Sequence, residues 1–129
     1  MARNQLFINL FSDKDAVEFT AGQVVLRAGD MGETMYVVVE GEVEIVDASL
    51  ILEVAGPGSI VGELALIDDE PRSATVIAKS HCRLVPVDRR RFQYMTQETP
   101  FFALAVMKVL ADRLRSKNVR TRAQVESGA

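Results

Sequence analysis

The sequence is poor in the residues that build disulfides and metal centres, because it contains one cysteine and one histidine. A single cysteine, Cys82, excludes an internal disulfide and is compatible with a reducing compartment. Because Cys82 lies in the apolar run HCRLVPV, we expect a small buried hydrophobe rather than a nucleophile. His81 has neither a second histidine nor a CxxC motif to complete a zinc site, so we predict no metal.

Long hydrophobic runs and an excess of positive charge are also lacking. No apolar run approaches the ~18 residues of a membrane-spanning helix, and the amino-terminal MARNQLFINLF lacks the features of a signal peptide. We therefore expect a cytoplasmic protein with no membrane partner. The formal net charge of -3 argues against DNA binding by this chain. The basic residues within 113–122 are interpreted as a solvated helix face.

The composition does provide enough apolar residues for a core, at 48% of 129 residues, and predicts one domain over residues 1–129. Between residues 23 and 88, short apolar runs alternate with turn residues, which is typical of β-strands. Such closely spaced strands favour a mainly β sandwich or barrel. The predicted strands cover 24–26, 35–39, 43–46, 50–55, 73–78 and 82–88.

Helical spacing of apolar residues is found at both ends of the chain. A weak helical pattern over Gln5 to Phe19 predicts an amino-terminal helical segment within 1–22. At the other end we predict a short helix over Arg89 to Thr96, capped by Asp88, and a longer one from Pro100 to about Arg122. Residues 89–122 are therefore expected to form carboxyl-terminal helices. The apolar positions of the longer helix are Phe102, Val106, Val109, Leu110 and Leu114.

The most informative segment joins GELAL at 62–66 to PRSATV at 71–76. This arrangement suits a phosphate, because a buried anion needs donors and a counter-charge. Gly62 lets a ligand approach the backbone closely, and Arg72 can grip phosphate oxygens with two parallel N–H donors. Ser73 adds a hydroxyl and an amide donor. The acidic run at 68–70 is interpreted as a solvated loop rather than a metal site.

These two motifs, at this spacing, resemble the phosphate-binding cassette of cyclic nucleotide-binding domains, the family of the catabolite activator protein and the kinase A regulatory subunits. Gly29-Asp30, Tyr36, Gly41 and Val43 extend the resemblance upstream. It implies an eight-stranded jelly-roll β-roll with an amino-terminal helix, a short cassette helix and carboxyl-terminal helices. The cassette of 62–75 would contact phosphate and ribose through Gly62, Glu63, Leu64, Ala65, Arg72, Ser73 and Ala74.

Within this resemblance, Glu63 is expected to accept a hydrogen bond from the ribose 2′-hydroxyl. The purine would lie against apolar strand residues, which equally well form ordinary core. We expect its walls to be Leu26, Ile45, Leu52, Ala55 and Val61. Candidate lid residues over the base are Arg113, Arg115 and Lys117. Lys117 and Asn118 stand where the catabolite activator protein has a threonine and a serine for adenine, so no base contact is carried over.

The function implied is a regulatory sensor of cyclic AMP or cyclic GMP, which reorders its last helix when ligand binds. Ser73 favours cyclic AMP over cyclic GMP. We predict no catalytic residues and no cofactor beyond the ligand. The output would pass to a protein effector in trans or to a fused output domain. A further expectation concerns Val106, Val109 and Leu110, which either form a homodimer interface or pack on the chain's own β-roll.

Two alternatives remain open from the sequence. One is a scaffold domain of the same fold that no longer binds ligand. The other is a cupin-like enzyme on a related roll, which would require a cluster of histidines and a glutamate around a metal. The single histidine, His81, disfavours that second alternative.

Overall fold

A computed structural model describes the backbone of residues 2–128 and the side chains of residues 5–117. The chain divides into two compact units, Met1–Tyr94 and Met95–Ala129. The boundary falls inside one of the predicted carboxyl-terminal helices. In the part of the chain that the structure describes, no helix is long and apolar enough to cross a membrane.

Two antiparallel four-stranded sheets form the first unit and confirm the predicted β-roll. One sheet has the order β1-β8-β3-β6 and the other β2-β7-β4-β5. The strands are β1 (Val17–Phe19), β2 (Val24–Leu26), β3 (Thr34–Glu40), β4 (Val43–Asp47), β5 (Leu50–Ala55), β6 (Ile60–Val61), β7 (Thr75–Ala78) and β8 (Cys82–Asp88).

The core lies between the sheets and receives side chains from all eight strands. In β3, for example, Met35 and Val37 are fully buried on one side of the strand, while Val38 joins the core cluster. Cys82 is also fully buried, as predicted, with its thiol 3.1 Å from the Glu42 carbonyl. Apolar burial of this kind contributes about 1.5–3 kcal/mol per large side chain and fixes the strands that carry the cassette.

The amino-terminal segment differs from the helical prediction for 5–19. Helix α1 (Ala2–Leu10) buries Phe7, and a short 3₁₀ turn follows at Asp13–Asp15. Residues 17–19 then form β1, which pairs with β8 in the register Val17↔Leu84 and Phe19↔Cys82. A β-branched residue and an aromatic residue at alternate positions suit a strand, and the available edge of β8 outweighs their weak helical spacing.

The remaining helices are α2 (Leu64–Asp68), α3 (Arg89–Glu98) and α4 (Pro100–Gly128). The predicted cap of α3 is confirmed, because the Asp88 carboxylate accepts a hydrogen bond from the Arg91 amide at 2.8 Å. Helix α4 continues past the predicted end near residue 122, since no glycine or proline interrupts 101–127. The side chains of Asn118 and of the basic residues beyond it lie outside the described residues.

Candidate functional site

Gly62 joins β6 to α2 and is the tightest point of the cassette. Its φ of +82° lies in the region that favours glycine. A Cβ atom at this position would lie 2.7 Å from Arg72 Nη1 and 2.7 Å from Leu26 Cδ1. Gly62 is therefore needed both for its backbone conformation and for the close approach of its neighbours. The Arg72 guanidinium and the apolar side chain of Leu26 therefore both lie close to Gly62.

The loop between β2 and β3 fixes the second half of the cassette. The Arg72 amide donates to the Asp30 carbonyl, and the Gly29 amide donates to the Arg72 carbonyl, both at 2.8 Å. The Ala28 amide donates to the Thr75 hydroxyl at 3.0 Å. Three hydrogen bonds thus tie residues 72–75 to one loop, so the direction of the Arg72 side chain is set by tertiary structure.

The Arg72 guanidinium is half-buried and bridges two backbone carbonyls. Nη1 donates to Gly62 O at 3.2 Å, and Nη2 donates to Thr34 O at 2.5 Å. A guanidinium has five N–H donors and cannot lose its charge at physiological pH. Two of the donors make these bonds, so three are left for an anionic ligand.

The electrostatic surroundings of Arg72 balance burial against nearby charges. Burial lowers the pKa of the Arg72 guanidinium, while Tyr36, Asp30 and Glu63 oppose that decrease in pKa. Glu63 is 3% exposed, and it is the buried charged residue among the side chains of residues 5–117. A buried carboxylate beside a fixed positive charge suits a ligand that carries both an anion and a hydroxyl group.

Gly32 is a site residue that the sequence analysis missed. A Cβ atom there would lie 2.7 Å from Arg72 Nε and closer still to Cζ and Nη2. The missing side chain at Gly32 therefore makes room for the guanidinium. In the sequence Gly32 is one of several turn glycines, and only the tertiary contact with a residue 40 positions away (72 minus 32) reveals its role.

Arg89, the first residue of α3, is the second residue that the sequence analysis missed. Its Nε donates to Glu33 Oε2 at 2.9 Å, and its Nη1 lies 2.7 Å from Asp69 Oδ1. Nη1 also donates to the Leu66 carbonyl at 3.2 Å. The hydrogen bond that Arg89 donates to the Glu33 carboxylate is the main cause of the raised pKa of Arg89. Arg89 thereby ties the end of α2 and the loop at Gly32 to the start of α3.

The predicted base-pocket residues are mostly brought together. Leu26, Ala55 and Val61 are buried in one hydrophobic cluster, and Ile45 packs against it. Leu52 is half-buried on β5 and is not part of that cluster. The cluster lies beside Gly62 through Leu26, so an apolar wall adjoins the arginine.

The other predicted contact residues occupy the two flanks of the cassette. Ala65 is buried in α2, whereas Leu64 is 40% exposed. Ser73 is exposed and Ala74 is half-buried, both just before β7. An exposed Ser73 hydroxyl, one residue from Arg72, is accessible to a ligand.

The candidate lid residues lie on different faces of α4. Arg113 is half-buried, while Arg115 and Lys117 are exposed. At about 100° per residue, Arg113 shares a face with the buried Phe102 and Val106, whereas Arg115 points to the other side. One face of α4 cannot therefore present all three residues together. Among the described residues, no group of three His, Cys, Asp or Glu is placed to hold a metal ion.

The fold and the site together define a class of protein. It is an antiparallel β-roll in which a glycine links a strand to a short helix, close to a buried carboxylate and to an arginine whose backbone is held by a loop. Residues 16–99 match the family model of the cyclic nucleotide-binding domain. The chain belongs to that family.

Individual relatives agree with the family assignment. A cAMP-dependent protein kinase regulatory subunit of Dictyostelium discoideum is 32% identical over 93 residues, which is 66% of this chain and 28% of that relative. The chain thus matches little more than a quarter of that protein's length.

Solved structures extend the similarity to the fold. The Thermus thermophilus catabolite activator protein is 24% identical, with a TM-score of 0.77 over 96% of this chain and 59% of its own. The cAMP-bound form of an EAL enzyme is 30% identical, with a TM-score of 0.62 over 86% of this chain and 31% of its own.

Proposed function

We propose that this chain binds cyclic AMP as a regulatory sensor, with the cyclic phosphate held at Arg72. The observation that carries the proposal is the position of the Arg72 guanidinium. The guanidinium donates a hydrogen bond to Gly62 O, interacts electrostatically with the buried Glu63 and, like Leu26, lies close to the Cα of Gly62. In one small nucleotide the phosphate would have Arg72 as its neighbour, the ribose would have Glu63, and the base would have the apolar wall at Leu26.

The phosphate would use the donors of Arg72 that its two backbone bonds leave available. A cyclic phosphodiester carries one negative charge, and charge-assisted hydrogen bonds from a guanidinium are about twice as strong as neutral ones. The exposed Ser73 adds a hydroxyl donor at the adjacent position. Because Asp30 and Gly29 fix the Arg72 backbone, little ordering is required when the ligand binds.

The preference for cyclic AMP rests on Ser73, which follows Arg72, and on two of the compared proteins. The kinase regulatory subunit is named for its dependence on cAMP, and the EAL enzyme was solved with cAMP bound. Cyclic GMP is the second candidate. The apolar cluster around Leu26, Ala55 and Val61 would receive the purine, and Arg113, Arg115 and Lys117 stay the candidate lid residues.

The regulatory role would be a population shift rather than a reaction. Ligand that contacts both cassette and lid stabilises a conformation in which the last helix is reordered. We infer an output through a protein partner in trans or a fused output domain, without DNA binding by this chain. We place the protein in the cytoplasm, where a single cysteine such as Cys82 stays reduced.

Isothermal titration calorimetry with cyclic AMP and cyclic GMP tests the proposal. We expect saturable binding of cyclic AMP, with cyclic GMP binding more weakly. Chromatography of the titrated nucleotide should recover it intact. No heat with either nucleotide at millimolar concentration would favour the ligand-free scaffold, and conversion to the linear nucleotide would favour an enzyme.

Glu63→Ala is expected to weaken cyclic AMP binding by about 1–2 kcal/mol, because the ribose 2′-hydroxyl loses its acceptor. The same substitution should change the affinity for 2′-deoxy-cyclic AMP much less, since that ligand has no hydroxyl to lose. The wild-type chain titrated with both ligands is the reference. Equal losses for the two nucleotides contradict the role of Glu63 at the ribose.

A further inference from the structure

Helix α4 carries two apolar stripes on opposite sides. One stripe contains Phe102 and Val106, which are 0% and 3% exposed. The other, which we call the outer stripe, consists of four side chains that are 56–73% exposed: Phe101, Leu104, Met107 and Leu114. At about 100° per residue, the outer stripe is centred roughly 180° from Phe102.

The apolar spacing of Val106, Val109 and Leu110 predicts either a partner surface or a stripe that packs within the chain. Val106 is buried and the other two are half-buried, which favours the second role and leaves the outer stripe as the exposed surface. The periodicity of an all-round apolar helix does not reveal which side becomes buried. Single exposed apolar side chains are ordinary, whereas a contiguous row on one helix marks an interaction surface.

The charges along the outer stripe indicate the kind of partner. Lys108 and Arg115 are exposed and lie within the same sector of the helix. Between residues 101 and 117 the acidic residue is Asp112, which lies at the edge of that sector. The surface therefore combines large apolar side chains with a local excess of positive charge.

We propose that the outer stripe docks an amphipathic helix of a partner protein whose apolar face is flanked by Glu and Asp. Apolar positions at three- and four-residue steps suit a helix that packs along α4. Acidic flanks would pair with Lys108 and Arg115. The outer stripe would thus be the binding surface for the output partner inferred under the proposed function. No residue of the cassette belongs to this surface.

Two other occupants fit the charges less well. A second copy of the chain packed in parallel would bring Lys108 to Lys108 and Arg115 to Arg115, with no acid inside the stripe over residues 101–117. An anionic bilayer is typically recognised by a cluster of about four to eight basic residues, whereas the outer stripe has two beside it, Lys108 and Arg115.

Fluorescence anisotropy of a designed peptide tests the proposal on the full chain. The probe is a labelled helical peptide about three heptads long, with Leu at the a and d positions and Glu beside them. Its control has Lys in place of every Glu. We expect the acidic peptide to bind at least about tenfold more tightly than the basic one, because only the acidic flanks complement Lys108 and Arg115.

Two variants separate the apolar and the charged parts of the surface. Leu104→Ser combined with Met107→Ser should weaken binding of the acidic peptide by about tenfold or more. Leu50→Ser, at a leucine that is 46% exposed on β5, should leave it unchanged. Lys108→Glu combined with Arg115→Glu should invert the preference between the two peptides. Thermal melts confirm that each variant is folded.

The same samples show which outcome overturns the proposal. Equal binding of both peptides would overturn it. A dimer that light scattering detects for the wild type, but not for the Leu104→Ser, Met107→Ser variant, would overturn it too. Absence of peptide binding together with stripe-dependent binding to phosphatidylserine vesicles would also overturn it. All measurements are made without nucleotide, so their failure leaves the calorimetric test of nucleotide binding untouched.

Discussion

Arg72→Ala is expected to weaken cyclic AMP binding by about 3 kcal/mol, which is roughly a hundredfold increase in Kd. The reason is that the phosphate would be left half-buried without its counter-charge, beside the buried carboxylate of Glu63. Folding stability should fall by at least about 1–2 kcal/mol, because Gly62 O and Thr34 O each lose one donor and the buried Glu63 carboxylate loses a nearby positive charge. Calorimetric titration and a thermal melt measure the two effects separately.

Two matched substitutions make the Arg72 result specific. Arg72→Lys keeps the charge but loses the fork of parallel donors, so we expect it to recover only part of the affinity. Arg90→Ala removes an exposed arginine from α3 and should leave binding unchanged. An Arg72→Ala protein that binds as tightly as wild type would mean that the phosphate lies elsewhere.

Gly32→Ala is expected to weaken cyclic AMP binding by up to about tenfold and to lower the stability of the fold by no more than Arg72→Ala does. The added methyl group would meet the Arg72 guanidinium, which is the free end of a flexible side chain. The side chain can move aside, but holding it off its preferred rotamer costs about 0.5–1.5 kcal/mol. That cost appears when the ligand requires the original position, and it corresponds to a factor of ten at most.

Gly56→Ala is the control for Gly32→Ala, because a Cβ atom at Gly56 would meet no atom within 4 Å. Neither glycine has the positive φ that would strain an alanine. We expect the Gly56 variant to bind and to melt like wild type. A Gly32 variant that binds like wild type would show that the guanidinium need not lie against this loop.

The amino-terminal strand and the two missed residues show where prediction from sequence stops. Residues 17–19 have too few apolar positions to separate helix from strand, and the free edge of β8 decides between them. Arg89 appears in the sequence as one of three consecutive arginines. Its bonds to Glu33 and Asp69 arise only when the chain brings three distant segments together.

Helix α4 shows the same limit on a larger scale. The sequence predicted the helix and its apolar spacing, since period and the absence of breakers are local properties. It left open whether the stripe with Phe102 and Val106 would be buried, and it did not single out the exposed Phe101 and Leu104. With apolar residues on both sides of a helix, burial is decided by what packs against it.

The sequence by itself determined a mainly β fold, because apolar runs and turn residues act locally, and the resemblance of the cassette to a known family implied the roll. The sequence also determined the cassette, because its residue types are chemically specific at their spacing. Tertiary structure decided how the cassette is arranged. The Arg72 backbone is held by Asp30 and Gly29, its guanidinium is accommodated by Gly32, and α2 is tied to α3 by Arg89. These contacts join residues that are far apart in the sequence. Their energies depend on interatomic distances in the folded chain, which a local sequence pattern does not specify.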